Sequence, residues 1–343
     1  MRGKFDSVNN NSEKVNNFSI YREVLLTPDG GQISLDWYCP ETLKEIPEKK
    51  DNKTAKPVAL FLAGLTGDSH SENLRAVIRA AARLGYRSVV LNNRGLGRNE
   101  LLTERLFSAL SDDDLSVAVE HIRKTSESEQ SRGSMTILAS GYSQGANILT
   151  RYLRRQGVNS QIDAAFLLSP CFDFVAAELQ LSSGFWPRLF NLLLVKMITG
   201  TVLRLHQSFY RKSTTKNYHV DAWQWFTSLE QFDEAFTAPN AGFSCAHDYY
   251  VEASNVEKLK EIAVPTLALC AADDLIQPVR DLPLEEVAQC TGGLQLLLTT
   301  TGGGHVGFLE GPPWRPHFYA DRLFEQFARG IAQLEGSPKV AFQ

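Results

Sequence analysis

Residues 136–153 read TILASGYSQGANILTRYL, and this stretch decides the fold. An apolar run leads into GYSQG (141–145), and a segment with helical spacing follows. Glycine inside a regular element costs about 0.5–1 kcal/mol relative to alanine, so the two glycines indicate a local geometric need. A strand, a turn of the pattern G-x-S-x-G and a helix are typical of a nucleophile elbow, which raises Ser143 above the edge of a sheet. The alternative interpretation is a glycine-rich turn in which the serine is incidental.

Apolar runs alternate with helical patterns on both sides of this stretch. The predicted strands are Val58–Leu62, Arg87–Leu91, Ser134–Ala139, Ala164–Ser169, Thr266–Cys270 and Leu294–Leu298. The predicted helices are Glu72–Leu84, Asp113–Arg123, Ala146–Arg154, Leu284–Gln289 and about His317–Gln333. Upstream, REVLLTPDGGQISLDWYC (22–39) has two alternating runs around a turn, which predicts a hairpin. Strands that alternate with helices predict an α/β fold with a mainly parallel sheet and helices on both faces.

The domain organisation follows from where this alternation begins, breaks and ends. The polar residues 1–19 are predicted to be a flexible tail, and residues 20–335 a single domain, since α/β domains often exceed the usual length. A charged linker, KEIPEKKDNKTAK (44–56), follows the hairpin. Residues from 172 to about 263 lack strand signals, and we predict a helical lid there.

Composition excludes several functional classes. The 343 residues carry a net charge of −4 without a Lys/Arg-rich block, which argues against a nucleic-acid partner. The N-terminus has no apolar core, so no signal peptide is predicted. The longest apolar run, Leu192–Val195, extends to Ile198 only across Lys196, well short of the ~20 residues of a membrane span. The five cysteines are widely spaced without C-x-x-C, which indicates free thiols and a cytoplasmic location, with membrane contact at most peripheral.

A serine nucleophile needs a base and an orienting acid. In the fold that carries this elbow, the acid (Asp or Glu) and then the histidine follow the serine along the chain. His305 lies in TTTGGGHVGFLEG (299–311), a glycine-rich loop after the last predicted strand, where its side chain can reach over Ser143. Asp273 and Asp274 follow the preceding strand, and spacing alone leaves open which of them orients the histidine. The alternative for His305 is an ordinary surface loop histidine.

An oxyanion hole needs backbone N–H donors, one from the residue after the nucleophile and one from a loop after an earlier strand. Gln144 supplies the first, and Leu65 in LFLAGLTGDSH (60–70) is the candidate for the second. A plain strand-to-helix loop is the alternative for the latter. Neither zinc-ligand spacing nor a phosphate-binding glycine loop occurs, so no metal and no organic cofactor are expected.

The chain resembles the α/β-hydrolase superfamily, and within it the branch of ABHD lipid hydrolases that includes phospholipases. The resemblance rests on TPDGGQISLDW (27–37), GLTG (64–67), NNRG (92–95), LLT (101–103), GYSQG (141–145), DYY (248–250), DD (273–274) and GGHVGFLEG (303–311). It implies that Ser143 is the nucleophile and His305 the base. In the family's pattern a proline often stands four residues after the acid, and Pro278 therefore favours Asp274.

The chain departs from many relatives in two ways. Ala63 stands where many relatives have His or Pro, a change that removes no N–H from the oxyanion loop. Many relatives also carry an N-terminal membrane anchor, which is not expected here.

The segment GFWPRLFNLLLVKMITGTVLRLH (184–206) places Arg188, Lys196 and Arg204 among bulky apolar residues. This pattern suits an amphipathic helix that faces lipid or an acyl pocket, although packing on the body of the protein is the commoner outcome. We therefore expect a serine hydrolase that cleaves carboxylic esters of lipids, like a phospholipase or acylglycerol lipase, through an acyl-enzyme. The alternatives are an acyltransferase with the same triad, for which His305 to Glu310 only approximates H-x-x-x-x-D, and a non-catalytic scaffold.

Overall fold

The computed structural model describes residues 13–15, 18–40, 57–126, 135–213, 218–290, 293–299, 302–312, 314 and 316–335. The predicted linker, residues 44–56, and the first twelve residues of the predicted tail lie outside this range.

A nine-stranded sheet with the order β1-β2-β3-β5-β4-β6-β7-β8-β9 forms the centre of the protein. Its first three strands pair antiparallel, β3 also pairs antiparallel with β5, and the strands from β5 across to β9 are parallel to one another. The strands are β1 (Glu13–Val15), β2 (Phe18–Leu26), β3 (Gln32–Pro40), β4 (Val58–Leu62), β5 (Arg87–Asn92), β6 (Ile137–Tyr142), β7 (Ala164–Leu168), β8 (Thr266–Ala271) and β9 (Leu294–Thr299).

Helices accompany this sheet, some packed on its two faces and others in an insertion between β7 and β8. They are α1 (Glu72–Arg83), α2 (Asp112–Ser126), α3 (Gln144–Gln156), α4 (Phe174–Leu181), α5 (Phe185–Arg211), α6 (Leu229–Phe232), α7 (Ala238–Ala241), α8 (Ala246–Ala253), α9 (Leu284–Ala288) and α10 (Tyr319–Glu335). One core cluster joins the sheet to α2 and α3, and a second joins its other face to α1 and α10. The α/β fold predicted from the sequence is confirmed.

Strand β4 shows why the parallel strands have uninterrupted apolar sequences. All five of its residues are buried. Leu60 belongs to the core on the α2–α3 face, whereas Ala59 and Phe61 belong to the core on the α1–α10 face. A strand covered on both sides alternates between two apolar layers, so no polar position interrupts it.

Most predicted boundaries differ from the observed ones by one to three residues, and three of the differences have a clear structural cause. Ordered structure begins before residue 20, because Glu13–Val15 pairs with β2, so the tail predicted over residues 1–19 is wrong at these positions. Strand β6 ends at Tyr142 rather than Ala139, because Gly141 stays within the strand. Helix α10 begins at Tyr319 rather than His317, because His317–Phe318 (β11) pairs with Leu309–Glu310 (β10).

The predicted lid corresponds to an insertion between β7 and β8 whose described residues form helices and turns. Its two ends meet where the Asn255 N–H donates to the Phe172 carbonyl at 2.8 Å. Beyond that bond, Leu259 and Ile262 lie in the sheet core, so the insertion ends earlier than the predicted residue 263. We call residues 173–254 the lid.

The motif NNRG, noted in the sequence for its resemblance alone, has a structural role. Arg94 is 1% exposed and binds two carboxylates, those of Asp114 and Asp29. The Asp29 carboxylate belongs to the β2–β3 hairpin turn, and its hydrogen bond from Arg94 lowers its pKa. The guanidinium therefore ties that turn to the first turn of α2.

Candidate active site

Ser143 forms a sharp turn between the last residue of β6 and the first residue of α3. Its φ of 51° and ψ of −116° are strained for a residue other than glycine. A Cβ at Gly141 would lie 2.6 Å from Ala146 Cα, and one at Gly145 would lie 2.5 Å from the carbonyl oxygens of β4 and Ala63. Both glycines are therefore required, because the turn brings three backbone segments together without room for side chains.

The structure brings the predicted site residues Ser143, His305 and Asp274 into one hydrogen-bonded chain. Ser143 Oγ lies 2.6 Å from His305 Nε2, and His305 Nδ1 lies 2.9 Å from Asp274 Oδ2. Asp274 is 5% exposed, and its other oxygen accepts a bond from the Ile276 N–H at 2.8 Å. Of the two aspartates that spacing left open, Asp274 is the one that contacts the histidine.

Asp273 has a different position, outside that chain. Its Oδ1 accepts bonds from the N–H groups of Gly303 and Gly304, both at 3.0 Å. The bond from Gly303, together with that from Gly304, lowers the pKa of Asp273. The carboxylate thus fastens the histidine loop to the end of β8, a role that the sequence analysis missed. The adjacent DD and GGH motifs are the signal that could have suggested it.

The two predicted oxyanion residues lie on either side of Ser143. Gln144 begins α3, where N–H groups of the first turn have no partner within the helix. The neighbouring loop comes so close that a Cβ on Gly64 would lie 3.4 Å from Ser143 Cβ, and Leu65 follows it. Both Leu65 and Gln144 line the space in front of Ser143.

A network of buried polar groups holds the far end of that loop. Ser69 is fully buried; its N–H donates to Asn92 Oδ1 at 2.8 Å and its hydroxyl to Asp36 Oδ2 at 2.5 Å. The Tyr38 hydroxyl donates to the Ser69 carbonyl. Asp36 is in turn bound through both oxygens by Arg22. The loop is therefore anchored to β3 and β5.

Ser143 and His305 open into a cleft of about 970 Å³, including its mouth. The body of the protein contributes Leu106 and Phe107 to its wall, and the lid contributes Ile198 and Phe232 among other apolar residues. The Phe190 ring of α5 meets the His305 ring edge to face, with 6.5 Å between centroids. The lid thus covers the site directly.

The lid also supplies a partly buried polar pair that the sequence analysis did not find. The Tyr250 hydroxyl donates to Asp233 Oδ2 at 2.8 Å, and both residues line the cleft. Burial raises the pKa of Asp233 to about 6. Asp233 begins a π-helical turn, Asp233–Thr237, a local irregularity that is common at functional sites. The DYY motif marked Tyr250 but not its partner.

Helix α5 has two apolar faces. One faces the cleft, and the other leaves Phe185 72%, Trp186 68% and Leu193 59% exposed. Within the described residues this helix is also the one long and apolar enough to cross a membrane, by length and composition alone. Since it lies within the lid and a third of its most apolar window is buried, it is a weak candidate for a span.

Comparison with known proteins agrees with the fold. A model of the α/β hydrolase fold matches residues 57–312. Phospholipase ABHD3 of Bos taurus is 33% identical over 311 residues, covering 91% of this chain and 72% of that protein. The medium-chain fatty acid ethyl ester synthase/esterase 2 of Saccharomyces cerevisiae is 30% identical over 276 residues, covering 74% and 58%. A solved esterase of Pyrococcus furiosus, Pf2001, superposes with a TM-score of 0.58 at 14% identity, covering 98% of this chain and all of that one.

The chain therefore belongs to the α/β hydrolase family, among its carboxylic ester hydrolases. The resemblance inferred from the sequence motifs is confirmed.

Proposed function

We propose that this protein hydrolyses carboxylic esters of lipids, as a phospholipase or acylglycerol lipase, with Ser143 as nucleophile, His305 as base and Asp274 as orienting acid. The observation that carries the proposal is the hydrogen-bonded chain from Ser143 Oγ through His305 to Asp274, at the base of an apolar cleft. A serine hydroxyl is a weak nucleophile unless a positioned base removes its proton, and this arrangement supplies one.

In the acylation step, His305 Nε2 accepts the Ser143 proton while Oγ attacks the ester carbonyl. The buried Asp274 carboxylate holds the Nδ1 proton, keeps the ring in the required tautomer and stabilises the imidazolium. The N–H groups of Leu65 and Gln144 receive the oxyanion, and losing one such donor typically costs about 10²–10³ in rate. The alcohol departs with the proton from His305, leaving an acyl group on Ser143.

In the deacylation step, water takes the place of the alcohol. His305 accepts a proton from that water, the hydroxide attacks the acyl carbonyl, and the released serine oxygen recovers the proton. General-base assistance of this kind contributes about 10²–10⁴ in rate. The products are a carboxylic acid and the free enzyme, and both steps use the same oxyanion donors.

The shape of the cleft supports lipid substrates over small polar esters. Its walls include Leu181, Leu194, Ile198 and Phe232, side chains that suit an acyl chain. Ligand sites with apolar walls and few polar groups bind largely apolar molecules. The names of the similar proteins, a phospholipase and a fatty acid ester synthase/esterase, support the same substrate class.

The outer face of α5 supports peripheral contact with membranes. Trp186 and Leu193 are exposed there, and Arg188, Lys196 and Arg204 occur on the same helix. Apolar side chains that enter the headgroup region, together with cations, are typical of helices that lie on a bilayer surface. Since α5 also lines the cleft, such contact would bring the cleft next to its lipid substrate. The five free thiols support a cytoplasmic location.

Acyl transfer to an alcohol remains the second candidate, because one similar protein is named a synthase as well as an esterase. Glu310, the residue that approximated an H-x-x-x-x-D motif, is held by Arg322 at 2.9 and 2.8 Å and so gives this alternative no support. A non-catalytic scaffold is disfavoured by the close geometry of Ser143 and His305.

The test is hydrolysis of an ester panel, from short p-nitrophenyl esters to diacylglycerophospholipids, by wild type and Ser143→Ala. Thr150→Ser on the same helix is the control, since this buried hydroxyl lies outside the cleft lining. We expect lipid turnover by wild type and the control, and none by Ser143→Ala. Transfer products formed on addition of ethanol would support the second candidate. A folded wild type that neither hydrolyses any ester nor reacts with a fluorophosphonate would overturn the proposal.

A further inference from the structure

A second hollow lies at the opposite end of α3 from Ser143. It is lined by the last turns of that helix, by α8 and by the helical turn Val256–Glu261, and it measures about 610 Å³ with its mouth. Arg154 lies eleven residues after Ser143, which places it about 16 Å away along the helix axis. The hollow and the cleft share no lining residue, so this region is separate from the candidate active site.

Six charged side chains line the hollow, and two of its arginines have carboxylate partners. Arg151 binds Asp112 at 2.9 Å and Glu252 at 2.5 Å. Arg155 binds the other oxygen of Asp112 at 2.7 Å. These ion pairs account for both guanidinium groups and fix the wall of the hollow in place.

Arg154 differs from these two. It is 5% exposed, and its Nε donates to Asn255 Oδ1 at 2.6 Å, which orients the guanidinium. Among the described residues, no carboxylate lies within ion-pair distance of it. Burial, together with the charge of Arg151, lowers its pKa. The charges of Glu252, Glu261 and Asp112 act on Arg154 and offset part of this lowering, but none of these carboxylates contacts it. A buried cation without a counterion in contact is costly, and the fold retains this one facing a hollow.

We propose that this hollow is a binding site for a phosphate group, free or as a small monoester, held by the terminal nitrogens of Arg154. A planar guanidinium can donate two parallel hydrogen bonds to a phosphate, and such charge-assisted pairs are stronger than neutral ones. Lys258 lines the rim and adds a second cation. Because Asn255 already orients Arg154, the side chain loses little freedom when the anion binds.

Glu261 is the element of the site that opposes binding. Its carboxylate also lines the hollow, and in the described part of the chain it pairs with no cation. An anion must therefore enter against this negative charge. Removing the charge with Glu261→Gln is expected to tighten phosphate binding severalfold, whereas loss of Arg154 abolishes it.

The test measures binding of inorganic phosphate and of glycerol 3-phosphate by calorimetry, at constant ionic strength maintained with chloride. Wild type is expected to bind saturably. Arg154→Lys keeps the charge but loses the two-bond geometry, and is expected to bind at least tenfold more weakly. Arg154→Met should show no saturable binding. Arg188→Met, which removes a cation from the lid, is the matched control and should bind like wild type.

Two outcomes would overturn the proposal: no saturable binding of either phosphate by wild type, or equal binding by wild type and Arg154→Lys. Far-UV circular dichroism and a cooperative thermal unfolding transition report whether each variant is folded, and Arg154→Lys decides the result if Arg154→Met does not fold. Preference for one of the two phosphates identifies whether the free anion or the monoester is the better ligand. The measurement does not depend on ester hydrolysis, so the proposed function and this site can fail separately.

Discussion

The two adjacent aspartates after β8 have different contacts, so their substitution should have different effects on activity. Asp273→Ala tests this difference. This substitution removes the acceptor of two backbone bonds, from Gly303 and Gly304. A hydrogen bond to a charged group contributes about 1.5–3 kcal/mol when buried. Asp273 is exposed, so solvent screening reduces each bond to roughly 0.5–1 kcal/mol. The histidine loop therefore loses about 1–2 kcal/mol of the free energy that holds it against β8.

That loss has a defined kinetic consequence. Since each 1.4 kcal/mol corresponds to a factor of ten, the ordered loop becomes less favoured by a factor of about 5–30. We expect kcat/KM of Asp273→Ala on a short soluble ester to fall by up to that factor. Asp274→Asn removes the group that orients His305 and should cost about 10⁴ in kcat. Asp273→Asn, which retains one neutral acceptor, should lie between wild type and Asp273→Ala.

The assay is steady-state hydrolysis of the soluble ester, with the rate of fluorophosphonate labelling of Ser143 as a second readout. Asp248→Ala, which removes an exposed carboxylate from the lid, is the control and should behave like wild type. A loss of 10³ or more in Asp273→Ala would mean that Asp273 orients the histidine, contrary to the geometry. An unchanged rate would mean that the loop does not depend on these two bonds.

Three further predictions concern the lid and the body of the protein. Burial raises the pKa of Asp233 to about 6, above its unfolded value near 3.8, so ionisation of this carboxyl lowers the stability of the fold as the pH rises between these two values. Asp233→Asn should therefore raise Tm by about 3 °C at pH 7.5 and leave it unchanged at pH 4. Equal shifts of Tm at both pH values would contradict this prediction. Arg94→Met leaves Asp114 buried without its cation and should cost about 3–5 kcal/mol in urea unfolding, whereas a loss below about 1 kcal/mol would show that the ion pairs are dispensable. The double variant Trp186→Ser/Leu193→Ser should bind anionic vesicles at least tenfold more weakly, since each side chain contributes about 1.5–3 kcal/mol when buried, and should still hydrolyse a short ester. Equal losses of vesicle binding and of hydrolysis would mean that these side chains are needed for the folded structure rather than for membrane contact.

The parallel half of the sheet could be predicted because its signal is local. The prediction of Val58–Leu62 agrees with the structure to the residue, since a strand covered on both faces is apolar throughout, and Pro57 and Gly64 stand close to its two ends. Strand β6 was placed too early, because Gly141 has the composition of a turn although its backbone continues the strand up to Ser143. Whether a strand continues through a glycine depends on which neighbouring atoms lie close to its Cα, and the sequence does not show these tertiary contacts.

The residues of the candidate site likewise fall into those that a local motif predicts and those that depend on tertiary packing. Ser143 and His305 stand in motifs whose spacing reflects backbone constraints, so the sequence alone could single them out. Asp273 and Asp274 are adjacent, and only the turn after β8 determines that one is buried and the other exposed. The pairing of Asp233 with Tyr250 could not be predicted, because it depends on how the lid helices pack rather than on any repeat in the sequence.

The bond between Asn255 and Phe172 has an evolutionary consequence. Because the two ends of the lid are adjacent in space, the whole segment between them can be replaced by another of different length without moving any strand. The proposed chemistry at Ser143 and the selection of the substrate would then be inherited separately. Descendants of one ancestor could thus acquire new specificities by replacing the lid, while β6, β8 and the histidine loop remain as they are.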